Sequence, residues 1–467
     1  MLQTTAMSAA AERMSGVDRA WLLMDRPSNP MTVIGLLVLK LPLAPKRLRA
    51  LIAARFLAHQ RFRCVPVTDV LGGSWVESPH FALDDHLVCV ALPEPAGQAQ
   101  LEAFVGELAS TPFSRDRPLW SFHLVERYQG GCALIVRIHH CYADGVALIH
   151  VLLSLCNESL DDAPARSASS ATSGDLAQRI PALIGQTLRG GMDLLESSVH
   201  YLLHPAELVG VAGEAMGFAT ELTHIAMMAD DPATSLRRPL SGVRRAAWAS
   251  AIALEEVRMI GHLLGYTVND VLISTLSGAL GRHLERCGDP VAGSIRAAVP
   301  VNLRPTDDQS TLGNRFGLVF IDLPIGIRDP LLRLSTVHES MQSLKGSRQA
   351  LMTYGILAAV GTLPSPAEDP AVAIFSSKAS LVASNLAGPR EPLRLAGIAV
   401  SQILFWVPQA GSIGTGVSML TYHGQVQFGV LADRQLIPDP GELVAEIFAE
   451  FERLLYLVLL GSAQLLN

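Results

Sequence analysis

Charge is scarce in this chain. Asp, Glu, Lys and Arg make up 17% of its 467 residues, and the net charge is −7. No basic block stands out, so a nucleic-acid partner is not expected, because phosphate binding needs clustered Lys and Arg. Also missing is any Cys-x-x-Cys pair. Cys64, Cys89, Cys132, Cys141, Cys156 and Cys287 are scattered. They fit reduced cysteines better than a disulfide framework or a zinc site. No run is both long enough and free enough of charges and helix breakers to span a membrane. The apolar run 31–39 ends at Lys40 and Pro42 and reads as a strand. Residues 1–13 lack a basic region followed by an apolar core, so no signal peptide is expected there. No short-period repeat is visible.

Apolar residues are plentiful. They make up 49% of the chain, and the mean hydropathy is +0.31. A soluble chain this apolar implies large buried interfaces, an apolar ligand tunnel or contact with a membrane surface. Its length is too great for one ordinary core, so two domains are expected.

One stretch concentrates the chemistry. Residues 133–138 are apolar and β-branched and read as a buried strand, and residues 146–155 read as a buried helix. Between them stand His139, His140, Asp144 and Gly145. Adjacent residues on a strand point to opposite faces, so only one histidine can meet a given cleft. A histidine there can act as a general base near neutral pH. Asp144 either caps the helix or holds a cation that fixes the turn. Cys141 is not set in a nucleophile elbow, which favours direct attack by a substrate group that histidine deprotonates.

The rest of the chain supplies a frame. A helix is expected over 14–25 with Ser15 as its cap, then strands over 32–39, 75–77, 86–91 and 118–126, with helices over 45–59 and 98–109. A Ser/Ala-rich loop fills 157–175, and residues 182–228 read as an apolar helical layer. The second half predicts strands over 248–254, 295–301, 316–323, 381–387, 397–405, 416–422 and 425–431. Helices alternate with them, one capped by Thr267 or Asn269. This pattern predicts an α/β fold with mixed sheets, in two sandwiches. The expected parts are an N-terminal domain over 1–157, a loop and helical connector over 158–243, and a C-terminal domain over 244–467.

The spacing His-His-x-x-x-Asp-Gly resembles the signature of the acyl-CoA-dependent acyltransferase superfamily. Further blocks resemble one family within it, the bacterial wax ester synthases/diacylglycerol acyltransferases. These are residues 15–31, Pro118-Leu119-Trp120, Thr267-Val-Asn269-Asp270-Val, Val299-Pro-Val-Asn-Leu-Arg304-Pro, Gly313-Asn314-Arg-Phe-Gly, Ser384-Asn385-x-x-Gly388-Pro389 and Tyr422-x-Gly424-x-x-x-Phe428-Gly429-x-x-x-Asp433. Leu386-Ala387 departs from the Val-Pro usual at that place, which bears on acceptor preference.

The resemblance implies two chloramphenicol-acetyltransferase-like domains with the active-site channel between them. It implies transfer of a fatty acyl group from acyl-CoA to a long-chain alcohol or diacylglycerol. His140 is then the base, His139 its packed support, and Asp144, with Gly145, orients the turn. Arg304 is the expected partner of Asp144. Asn269 either caps its helix or supplies a polar contact in the channel, and Asp270 is a first-turn charge. Pro118, Leu119 and Trp120 pack the core or line the acyl site, and Ser384 and Asn385 border the channel or tie a strand end. No cofactor or metal is implied; acyl-CoA is a co-substrate. The expected setting is cytoplasmic, peripheral to the inner membrane or to lipid inclusions. Two alternatives remain: a superfamily member acting on another hydroxyl or amine, and a non-catalytic lipid-binding protein.

Overall fold

The structure is a computed structural model. It describes residues 12–69, 72–156, 225, 227–304, 312–345, 347–362 and 368–465. The expected loop over 157–175, and nearly all of the helical layer over 182–228, lie outside the described residues.

The first half opens with strand β1 (Glu12–Arg13), helix α1 (Gly16–Met24), strand β2 (Thr32–Leu39) and helix α2 (Pro45–Ala54). Strands β3 (Cys64–Thr68), β4 (Gly73–Glu77) and β5 (Leu87–Val90) precede helix α3 (Gln98–Ser110). Then come β6 (Trp120–Tyr128), β7 (Gly131–His139) and α4 (Gly145–Ser154). The second half has β8 (Arg244–Trp248), β9 (Ile252–Ala253), α5 (Leu254–Leu264), α6 (Val268–Arg286), β10 (Ile295–Asn302), β11 (Phe316–Leu323), α7 (Pro330–Lys345), α8 (Gln349–Val360) and α9 (Glu368–Ser377). It ends with β12 (Leu381–Ala387), β13 (Arg394–Leu395), β14 (Ile398–Trp406), β15 (Thr415–Tyr422), β16 (Gln425–Asp433) and α10 (Pro440–Leu465).

Two large mixed sheets result, in the order β13-β14-β2-β7-β6-β5 and β11-β10-β12-β15-β16-β8, with β9 beside β16. A small sheet, β1-β4-β3, stands apart. The α/β class with mixed sheets expected from the alternation is the one observed. In the first sheet, β2 and β7 are buried along their whole length, which is why both read as continuous apolar runs.

The two halves are joined by more than a linker. β14, from the second half, pairs antiparallel with β2, setting Leu404 against Leu36 and Trp406 against Ile34. The hydrophobic cores are shared too: one cluster packs Trp21, Met31 and Ile138 with Phe316, Ile356 and Val382. The strand expected over 248–254 is broken in two. β8 ends at Trp248, and the chain rejoins β16 only at Ile252 and Ala253. A run apolar but for Ser250 did not reveal that interruption.

Candidate active site

β7 carries the two histidines to the edge of the cavity between the halves. The backbone N–H of His139 donates to Leu119 O at 2.9 Å, and that of His140 donates to Met31 O at 2.8 Å. The adjacent side chains diverge, as strand geometry requires. His140 lines an apolar cavity of about 180 Å³, and His139 does not.

His139 is packed and pinned. Its Nδ1 accepts from the Cys141 N–H at 3.1 Å, which leaves the proton on Nε2, 3.6 Å from the Asp25 carboxylate. Burial raises the Asp25 carboxyl, but His139, the Met31 N–H and Arg115 together hold it below the ordinary carboxylate range. His139 is pushed down by burial, with Asp25 opposing.

His140 is 3% exposed. Burial pushes its imidazole down to about 4; Asp144, the residue's own backbone carbonyl and the Asn314 side chain oppose this, and His139 adds to it. At neutral pH it is therefore uncharged, with a lone pair free to take a proton.

Asp144 caps α4, its Oδ1 accepting from the Ala147 N–H at 3.0 Å. Its Oδ2 accepts from Arg304 Nη2 at 2.8 Å, Arg304 Nε at 3.2 Å and the Arg315 N–H at 2.9 Å. The two readings of Asp144, helix cap and cation holder, thus both apply, and Arg304 is the cation. Arg304 also donates to Gly313 O, and the same carbonyl accepts from the Asp144 N–H at 3.3 Å, which fixes the second half against the turn. Gly145 and Val146, the first residues of α4, line the cavity, and a Cβ built at Gly145 meets nothing closer than Leu386 Cδ1 at 3.7 Å.

Two residues of the family-like blocks prove central, though no role was expected of either. Trp21 of α1 stacks on His140, with ring centroids 4.2 Å apart and planes 24° apart. Asn314 Nδ2 donates to His140 O and to Asp18 Oδ1, both at 2.8 Å. Burial raises the Asp18 carboxyl, against the pull of Arg61 and Asn314.

The remaining candidates divide. Ser384 and Asn385 of β12 line the cavity beside His140. Asn385 also borders a second, more polar cavity of about 350 Å³ that contains Asn269, Arg258, Arg390 and His423. Asn385 Nδ2 donates to Asn269 Oδ1 at 2.6 Å, so Asn269 holds the rim and Thr267, not Asn269, caps α6. Asp270 completes that cap and accepts from His338 Nδ1 at 2.8 Å, away from His140. Pro118, Leu119 and Trp120 do not reach the cavity. Trp120 is 1% exposed and donates from Nε1 to Phe62 O at 2.7 Å, while the Leu119 N–H donates to the Tyr142 hydroxyl at 3.1 Å. They brace the histidine turn from behind. Leu386, at the departure from Val-Pro, borders the His140 cavity, and Ala387 borders the polar one. Among the described residues no group of three or more His, Cys, Asp or Glu could hold a metal.

Comparison with known proteins identifies the family. The model of the wax ester synthase/diacylglycerol acyltransferase catalytic domain matches residues 14–272, and that of the family's C-terminal domain matches residues 312–455. A protein assigned as a diacylglycerol O-acyltransferase in Mycobacterium tuberculosis is 30% identical over 394 residues, covering 83% of this chain and 82% of its own. The wax ester synthase/diacylglycerol acyltransferase structure from Marinobacter aquaeolei superposes with a TM-score of 0.67 at 20% identity, over 96% of this chain and 99% of that one. The starter condensation domain of rhizomide synthetase, solved with C8-CoA, shares the fold at a TM-score of 0.57 and 15% identity, over 97% of each chain. The chain belongs to the wax ester synthase/diacylglycerol acyltransferase family.

Proposed function

We propose that this protein transfers a fatty acyl group from acyl-CoA to the hydroxyl of a long-chain alcohol or of diacylglycerol, with His140 as general base. One observation carries the reading: a buried, uncharged imidazole opens onto an apolar cavity where the two halves meet. The hydroxyl proton moves to His140 Nε2. The oxygen attacks the thioester carbonyl carbon, and the tetrahedral intermediate collapses with cleavage of the C–S bond. The CoA thiolate then takes the proton back from His140. General-base help of this kind is worth about a hundred- to ten-thousandfold. No covalent acyl-enzyme is required, and Cys141 is unsuited to form one because burial pushes its thiol well up.

The two cavities suit the two ends of acyl-CoA. Arg258 and Arg390 of the polar cavity complement phosphates, and the apolar cavity takes hydrocarbon. Asn385, common to both, marks the passage between them. A third cavity shares Met24, Val372 and Ser376 with the apolar one, and offers the alcohol a separate mouth near Arg26. The insolubility of the acceptor and product supports work at a membrane or lipid-inclusion surface. Among the described residues no single helix is long and apolar enough to cross a membrane.

The test is purified protein supplied with palmitoyl-CoA and either hexadecanol or diacylglycerol, read by thiol release and product identity. Ester formation that disappears in His140→Ala is the expected result. Thiol release without ester, or full turnover by the variant, overturns the proposal.

A further inference from the structure

We infer that Trp21, a residue of α1 outside the histidine motif, is the positioning residue that sets the plane of the His140 ring. The inference rests on the general-base reading of His140 and adds to it the question of what holds the base still.

In many sites a carboxylate orients the catalytic imidazole. Here that post is vacant. Both Asp144 oxygens are occupied, by Ala147, Arg304 and Arg315, and none of these bonds reaches His140. His140 Nδ1 is buried without a well-formed hydrogen bond, and the polar side chain of another residue that bears on the imidazole is that of Asn314, which opposes the effect of burial. What covers the ring is aromatic. The Trp21 indole lies over its face at 4.2 Å, and Phe316 of β11 leans on it at 5.5 Å and 51°. Trp21 and Phe316 also meet each other, at 5.8 Å.

The clamp is rigid because α1 is over-determined. Ser15 caps it, Arg19 donates to Gly361 O, and Asp18 accepts twice from Asn314. The same Asn314 amide holds the His140 carbonyl, so one side chain sets the register of the indole on the imidazole. The charged and titratable groups that bear on the ring are His139 and Asp144 on its own turn, with Arg304 behind Asp144; Asp18 of α1 connects to this turn through Asn314. None of them contacts the ring face that Trp21 covers. When His140 accepts the substrate proton, the new imidazolium lies against an indole face, an attractive arrangement for a cation.

The experiment is steady-state kinetics of the full chain with palmitoyl-CoA and hexadecanol. Trp21→Phe keeps a ring face and is expected to hold kcat within about threefold. Trp21→Leu keeps apolar bulk but loses the face. Its kcat is expected to fall about 30- to 100-fold, the scale of a base displaced by an ångström, with both KM values within about threefold. Trp21→Met gives the same reading should the leucine variant not fold. A leucine or methionine variant that keeps its kcat, a loss confined to KM, or a phenylalanine variant as slow as leucine overturns the inference. Wild-type turnover and an inactive His140→Ala keep the general-base reading standing whatever Trp21 shows.

Discussion

Asp144 and Arg304 lie 160 residues apart and form one buried unit, with side chains 4% and 0% exposed. Removing one partner strands the other charge, which costs about 3–5 kcal/mol. Arg304→Ala is therefore expected to lower the urea midpoint sharply and to lose activity with it. An unchanged midpoint contradicts the role given to the pair. His140 makes the pH prediction. Its folded value, about 4, lies below that of free imidazole, about 6.5. Between those limits the unfolded chain binds a proton that the folded site refuses. Stability therefore rises with pH through that window and falls as pH drops through it. The acid limb of kcat/KM is expected well below 6.5; a limb at or above that value contradicts a buried, neutral base. Much at this scale was legible. His139, His140, Asp144 and Gly145 stand within seven residues, and their types state their chemistry. The Arg304 pairing was legible only through family resemblance. Trp21 and Asn314 were not legible as site residues: they lie 119 and 174 residues from His140, and nothing local marks an indole or an amide as functional.

Helix ends were legible because their signals are local. Ser15 caps where its residue type suggested, and of the two candidates for α6, Thr267 and Asn269, Thr267 is the cap. What α1 rests on was not legible. It lies so close to the end of α8 that a Cβ at Gly361 would sit 1.6 Å from Gly16 O. Gly361→Ala must push α1 outward. The expected cost is about 1–3 kcal/mol, the usual scale of overpacking. Activity is expected to fall further than stability, because Trp21 and Asp18 ride on α1. Thermal melts and kcat measured on one preparation check this; a variant that loses stability but keeps full kcat argues against the coupling. At the other wall, Gly145→Val is expected to narrow the cavity at Leu386. A raised KM for the longer alcohols, with CoA release from short ones retained, is the checking measurement.

For the whole molecule, the alternation of strands with helices gave the mixed α/β class. It did not say which sheet a strand joins, because an apolar run looks the same in either. β14 belongs by sequence to the second half and by hydrogen bonding to the first. Arg244 of β8 adds a further tie, donating to Asn29 Oδ1 and to Gly414 O. Residues 1–243 expressed alone are thus expected to aggregate, lacking β14 along the edge of β2. The full chain is expected to unfold in one transition, by both far-ultraviolet dichroism and tryptophan fluorescence.

The borrowed strand also limits how a finished ester can depart. Two lobes stitched by a ladder from Val400 to Trp406 cannot swing apart like a clam without unzipping it. A long waxy molecule must instead slide out end-on, threading its own length past the walls. Release is then expected to slow with every carbon added, so that chain length is limited at the exit as much as at the bond-making step.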